Sequence, residues 1–167
     1  MEGSNIKIVL IGVLVVVQLL WGCPAFLHYD YAYISLAHHF FHANILHLAV
    51  NCLSLWTIFR KDYIYKSSIL IWAFVIASLS WFCTSSDVVG FSNFIFAILG
   101  LRTPSIRNSW WTSPSVIFFL GITALMAFLP QVSAVTHIVS FSLGSIVAGV
   151  NRIIEHISRD FSRATHN

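Results

Sequence analysis

Ser92, in the run Gly90-Phe91-Ser92-Asn93, opens an apolar stretch that meets Arg102 ten residues later, and His137 lies inside another apolar stretch that continues to Arg152. A hydroxyl and an imidazole are the smallest pair that can carry out nucleophilic attack with general-base help, the one giving up the proton that the other takes. His47, Asn51 and Ser54 add a polar stripe at helical spacing. Histidine and asparagine side chains can both donate hydrogen bonds. Each of these residues alone has a bland reading. A serine in an apolar helix usually bonds to its own backbone, and a lone histidine is often a satisfied interior group. Their setting gives them weight, because 57% of the residues are hydrophobic, 9% are charged and the mean hydropathy is +0.81. Soluble domains carry about 25% charged residues. In lipid a polar side chain must face protein or a water-filled cavity.

The elements that must position these groups are apolar segments, six of which can be marked: Ile6 to Gly22, Asn44 to Phe59, Ser67 to Cys83, Gly90 to Leu101, Trp110 to Leu129, and Ala134 to Ile154. Continuous apolar runs of this kind predict helices, since the strands of a membrane barrel would alternate. Pro24, Pro104 and Pro130 fall in connections, and Pro114 lies near a helix start, where proline is tolerated. At about 20 residues per span, the 167 residues are expected to form one all-α membrane domain, residues 1–167, a six-helix bundle.

Every lysine and arginine falls at one set of segment ends: Lys7; Arg60, Lys61 and Lys66; Arg102 and Arg107; Arg152, Arg159 and Arg163. The positive-inside rule then predicts both termini on the cytoplasmic side of the cell membrane. The basic residues report topology, so the net charge of +3 does not call for nucleic acid as a partner. Leu20-Trp21-Gly22-Cys23 has the outline of a lipoprotein cleavage site, but the bulky tryptophan and the one upstream lysine favour a retained helix. The loop from Cys23 to His42 is rich in Phe and Tyr and is expected to lie at the outer interface. Cys23, Cys52 and Cys83 are odd in number and show no metal-type spacing, so no disulfide framework is read.

With a rise of 1.5 Å per residue, Ser92 stands roughly 15 Å above Arg102, Asn51 roughly 14 Å above Arg60, His47 roughly 20 Å above Arg60, and His137 roughly 22 Å above Arg152. In a core about 30 Å thick all four fall from mid-depth to the outer half, and can share one site. Ser92, Phe96 and Gly100 lie on one face of the fourth segment; His137, Ser140, Gly144 and Ala148 lie on one face of the sixth. The small residues of that second face allow close helix approach.

In order along the chain, these features resemble the rhomboid family of intramembrane serine proteases. His42-Ala43-Asn44-Ile45-Leu46-His47-Leu48-Ala49-Val50-Asn51 is similar to the family's second-helix pattern of two histidines and an asparagine. Gly90-Phe91-Ser92 resembles its nucleophile motif, continued by Phe96, Ala97 and Gly100. His137 with Gly144 seven residues on resembles its sixth-helix base and packing glycine. The resemblance covers essentially the whole chain as the minimal six-helix form.

It implies a Ser92–His137 dyad without cofactor or metal. The Ser92 backbone N–H would form an oxyanion site with His47 and Asn51, and His42 would stand at the mouth, orienting the outer loop or assisting the oxyanion. The implied substrates are transmembrane segments of other proteins, cut near the outer face at a small residue in a stretch that unwinds easily. Asp87 reads as a solvated loop charge, so no triad is assigned.

Three departures stand out. Asn93 and Ser140 occupy positions where the family usually has glycine, and the first outer loop lacks the tryptophan-arginine element of many relatives. Asn93 and Ser140 are expected to compensate by bonding to each other across slightly separated helices. Two other readings stay open. One is a catalytically inactive rhomboid-like protein that binds membrane-protein clients, which labelling with a serine-directed fluorophosphonate would discriminate. The other is a metal or haem protein built on His28, His38, His39, His42 and His47, although carboxylate partners are few and no histidine pair is matched at two depths.

Overall fold

The structure is a computed structural model that describes residues 3–21, 38–42, 44–58, 67–84, 90–102 and 133–164, with positions 114, 117, 120, 121, 124 and 125. It is all-helical among these residues. Helix α1 spans Gly3–Trp21, a 3-10 turn follows at His38–Phe40, and then come α2 (Ile45–Ile58), α3 (Ser67–Thr84), α4 (Ser92–Arg102) and α5 (Ala134–Ala164). These match five of the six apolar segments. Of the segment Trp110 to Leu129, the described positions Pro114, Ile117, Leu120, Gly121, Ala124 and Leu125 are helical and exposed. The aromatic loop ahead of the 3-10 turn, Asp87 and the basic residues Arg60, Lys61, Lys66 and Arg107 lie outside the described residues.

Burial is arranged as a bilayer would impose it. Large apolar side chains face outward, among them Leu19, Ile45, Leu53, Ile71 and Ile146, while His42, His47, Asn51, Ser92, Asn93, His137 and Ser140 are buried. An apolar exterior over a polar-lined interior is favourable where the surrounding solvent is hydrocarbon, since each buried polar group then finds protein rather than lipid. Among the described helices α5 alone passes as long and apolar enough to cross a membrane; the apolar stretches Asn5–Leu20, Ile45–Trp56, Ser68–Cys83 and Ser92–Arg102 are shorter.

Helix α4 is the axis of the fold. Its residues Ser92 to Gly100 are all buried, as expected of a helix apolar on every side. Eleven residues rise only about 16 Å, roughly half the hydrocarbon thickness. It packs tightly on α5. A Cβ on Gly144 would stand 2.6 Å from the Ala97 carbonyl oxygen and 3.1 Å from the Gly100 Cα, and a Cβ on Gly100 would collide with the Phe141 carbonyl oxygen. Gly100 beside Gly144 and Ser92 beside His137 are two contacts in the same chain order, so α4 and α5 run parallel. The Lys7 ammonium lies 3.9 Å from the centroid of the Trp56 ring, which brings the start of α1 to the end of α2 and makes that pair antiparallel.

One boundary departs from expectation. The sixth apolar segment was expected to stop at Ile154, but α5 continues through Ala164. Nothing between Arg152 and Ala164 breaks a helix, and local contacts hold it: Arg159 Nε donates to the Glu155 carbonyl at 3.1 Å, and His156 and Asp160 meet at 2.9 Å. All of residues 151–164 are exposed.

Candidate active site

The site is assembled at the first turns of α2, α4 and α5. Asn44 caps α2, its side-chain oxygen accepting from the His47 backbone N–H at 2.9 Å while its carbonyl accepts from Leu48 at 3.1 Å. The cap fixes the first turn of α2, and with it the start of the stripe His47, Asn51 and Ser54, all buried. Ser133 caps α5 in the same way, accepting from the Thr136 N–H at 3.3 Å, one residue before His137.

Ser92 and His137, 45 positions apart in sequence, are brought together: Ser92 Oγ and His137 Nε2 lie 2.7 Å apart, with both residues buried. The His137 ring is held by Phe96, one turn below Ser92 on α4, stacked at 4.4 Å between centroids and 22° between planes. His137 Nδ1 has no hydrogen-bond partner among the described residues. Among the described residues the arrangement is therefore a pair.

Gly90 explains how the turn before Ser92 reaches the stripe on α2. Its φ is +127°, in the region that L side chains rarely adopt, and a Cβ there would stand 2.6 Å from His47 Cε1, 2.9 Å from His47 Nε2 and 3.4 Å from Asn51 Nδ2. Glycine is needed twice over, for backbone conformation and for contact. The turn thus rests directly on His47 and Asn51. Neither His47 ring nitrogen nor Asn51 Nδ2 has a hydrogen-bond partner among the described residues, and all three belong to the side chains that lie against Gly90, two residues before Ser92. Ser92 is also the first residue of α4, where backbone N–H groups have no intrahelical acceptor.

His42 packs edge-on against His47, 5.2 Å between ring centroids, and is itself fully buried. Its pKa is pushed down to about 3, first by burial and then by the neighbouring His47, against a raising contribution from the Phe40 backbone. It is a neutral ring packed beside the stripe.

The expected bond between Asn93 and Ser140 is not formed. Both residues are fully buried, and neither the Asn93 amide atoms nor the Ser140 hydroxyl has a hydrogen-bond partner among the described residues. The separation of α4 and α5 is instead set lower down, where Gly100 and Gly144 bring the backbones together. Of the histidines read as a metal set, His28 lies outside the described residues, and no group of three or more His, Cys, Asp or Glu residues placed to hold a metal occurs among the described ones.

His39 was not singled out as part of this site, yet it is fully buried and bonds across to α3, with Nε2 3.2 Å from Ser78 Oγ. Its sequence neighbourhood of aromatic loop residues carried no signal of that contact.

No match was found among curated proteins. The Rhomboid domain family does match, over residues 30–152. That span opens ahead of the 3-10 turn and closes at Arg152, so it takes in the whole site and leaves out only α1 and the exposed end of α5 among the described helices. The chain belongs to the rhomboid family.

Proposed function

We propose that the protein is an intramembrane serine protease that hydrolyses peptide bonds in or near the transmembrane segments of other membrane proteins through Ser92 and His137. The observation that carries this reading is the buried 2.7 Å contact between Ser92 Oγ and His137 Nε2. In the first step the Ser92 hydroxyl proton passes to His137 Nε2 as Oγ bonds to the scissile carbonyl carbon, whose oxygen takes up the negative charge. The Ser92 N–H with His47 and Asn51 donates to that oxygen, in a site where water is scarce and each donor counts for more. As the C–N bond breaks, His137 returns the proton to the leaving amine. Water then gives its proton to His137, attacks the acyl group and releases Ser92 with its hydroxyl restored.

The domain is a single six-helix bundle over residues 1–167 in the cell membrane, with both termini cytoplasmic. Segregation of lysine and arginine to one set of segment ends supports this layout. Water and an unwound substrate strand would enter above Ser92, where α4, too short to span the bilayer, begins. The test is fluorophosphonate labelling and cleavage of a transmembrane reporter by purified wild type beside Ser92→Ala. Labelling and cleavage by wild type alone are expected. Equal cleavage by Ser92→Ala would refute the assignment, and a wild type that binds reporters without labelling or cutting would favour the inactive, client-binding reading.

A further inference from the structure

Within the five residues His38 to His42, three side chains reach three different parts of the fold. The His39 ring, fully buried, shares a hydrogen bond of 3.2 Å with Ser78 Oγ and lies 5.2 Å from the Phe74 ring, tilted by 54°, so it is docked on α3 by both its polar and its apolar faces. Phe40 meets Phe91 at 6.1 Å between centroids, one residue before Ser92, and Phe91 in turn packs on Phe94 at 4.5 Å. His42 lies against His47 on α2. The 3-10 turn therefore touches the turn before Ser92 through Phe40, and His42, two residues after it, touches the donor stripe. Its attachment to α3 is through His39.

A turn of three residues has too few hydrogen bonds of its own to hold a position. Phe40 and His42 offer ring contacts, which fix a distance more than a direction. The bond from His39 to Ser78 adds direction, joining a fully buried ring to a half-buried hydroxyl on α3.

We propose that His39 is a positioning residue: by docking on Ser78 and Phe74 it fixes the 3-10 turn, which holds Phe40 on Phe91 and His42 on His47 and so sets the nucleophile turn against its donors. This rests on the protease reading of Ser92 and His137. His39 touches none of the reacting groups and acts through its neighbours.

The test compares His39→Phe, which keeps a ring against Phe74 but loses the bond, with Ser78→Ala and with His39→Gln, whose amide nitrogen can take the place of Nε2. His39→Phe and Ser78→Ala are each expected to lower kcat, by up to about a hundredfold if the reacting groups shift by about 1 Å, with KM and melting temperature near wild type. The double variant is expected to be no worse than His39→Phe alone, because both remove one interaction, and His39→Gln is expected to recover most of the rate. A second readout does not need turnover: the imidazole NMR signals of His47 and His137 are expected to move in His39→Phe and to return in His39→Gln. Unmoved signals with unchanged kcat, or losses that multiply in the double variant, would overturn the proposal. Signals that move in a wild-type background that cuts nothing would uphold the positioning role and defeat the protease reading instead.

Discussion

Ser92 differs from its fellow helical serines in what its hydroxyl can reach. Ser80 and Ser145 donate to the carbonyls four residues back, at 2.7 and 2.9 Å, the usual fate of a serine in an apolar helix. Ser92 begins α4, so no helical turn precedes it to supply such a carbonyl, and its Oγ pairs with His137. Beside it, Gly90→Ala is expected to cost more than a hundredfold in kcat, because the added methyl has no space against His47 and the backbone is strained at φ +127°; steady-state cleavage of a reporter measures this. Asn51→Ala removes one donor and is expected to lower kcat about a hundred- to a thousandfold with KM little changed. Ser140→Ala removes a buried hydroxyl that has no partner among the described residues, and is expected to raise stability by about 1 kcal/mol in reversible unfolding. For His42 the sign follows from its lowered pKa. Between the ordinary 6.5 and about 3 the unfolded chain binds the proton that the folded one does not. The stability this gives is complete above pH 6.5 and is lost as pH falls through that window. His42→Gln is expected to flatten the acid limb of a denaturation curve measured from pH 7 to pH 4, and an unchanged limb would assign the acid sensitivity to other groups.

At the scale of elements, the α4–α5 contact sets the distance between Ser92 and His137, and glycines set that contact. Gly100 and Gly144 have backbone of the opposite helix where a Cβ would go, whereas Gly149, one and a half turns further along α5, has nothing within 4 Å. Backbone cannot swing aside as a flexible side chain can. Gly100→Ala and Gly144→Ala are therefore expected to destabilise the protein and to slow fluorophosphonate labelling of Ser92. Gly149→Ala should be neutral or stabilising, by up to about 1 kcal/mol from helix propensity. Thermal unfolding of the three variants side by side checks the order.

For the molecule as a whole, α5 is longer than a bilayer requires. Its 31 residues rise about 46 Å against a hydrocarbon core of about 30 Å, and its end beyond Arg152 is exposed on all sides and outside the family match. Removal of residues 154–167 is expected to leave reporter cleavage within about twofold of wild type and the melting temperature unchanged, as surface changes away from packed features generally do. Topology is checked by single cysteines in a background without native ones: position 87 is expected to label from outside and positions 61, 105 and 163 from inside. Outside labelling at 105 would break the six-span layout.

The amino-acid sequence by itself determined the local elements and the candidate pair. Apolar runs bounded by proline and basic residues become helices because lipid offers backbone groups no other partner, and that requirement is met within each segment. The starts of α2 and α5 lie within one residue of the apolar segment starts at Asn44 and Ala134, and the caps there are local, Asn44 and Ser133 accepting from groups only three residues away. Depth along a helix follows from a fixed rise, which put Ser92, His137, His47 and Asn51 between mid-depth and the outer half of the membrane before any packing was known. What only the tertiary structure decided are contacts between helices. Phe96 stacks on His137, Gly90 presses on His47 and Asn51, His39 reaches Ser78, and Asn93 makes no bond to Ser140. Each depends on how far apart two helices lie and how each is rotated. Those quantities come from all the side chains in the interface at once, with the Gly100–Gly144 approach setting the closest distance, and no spacing along one segment encodes them.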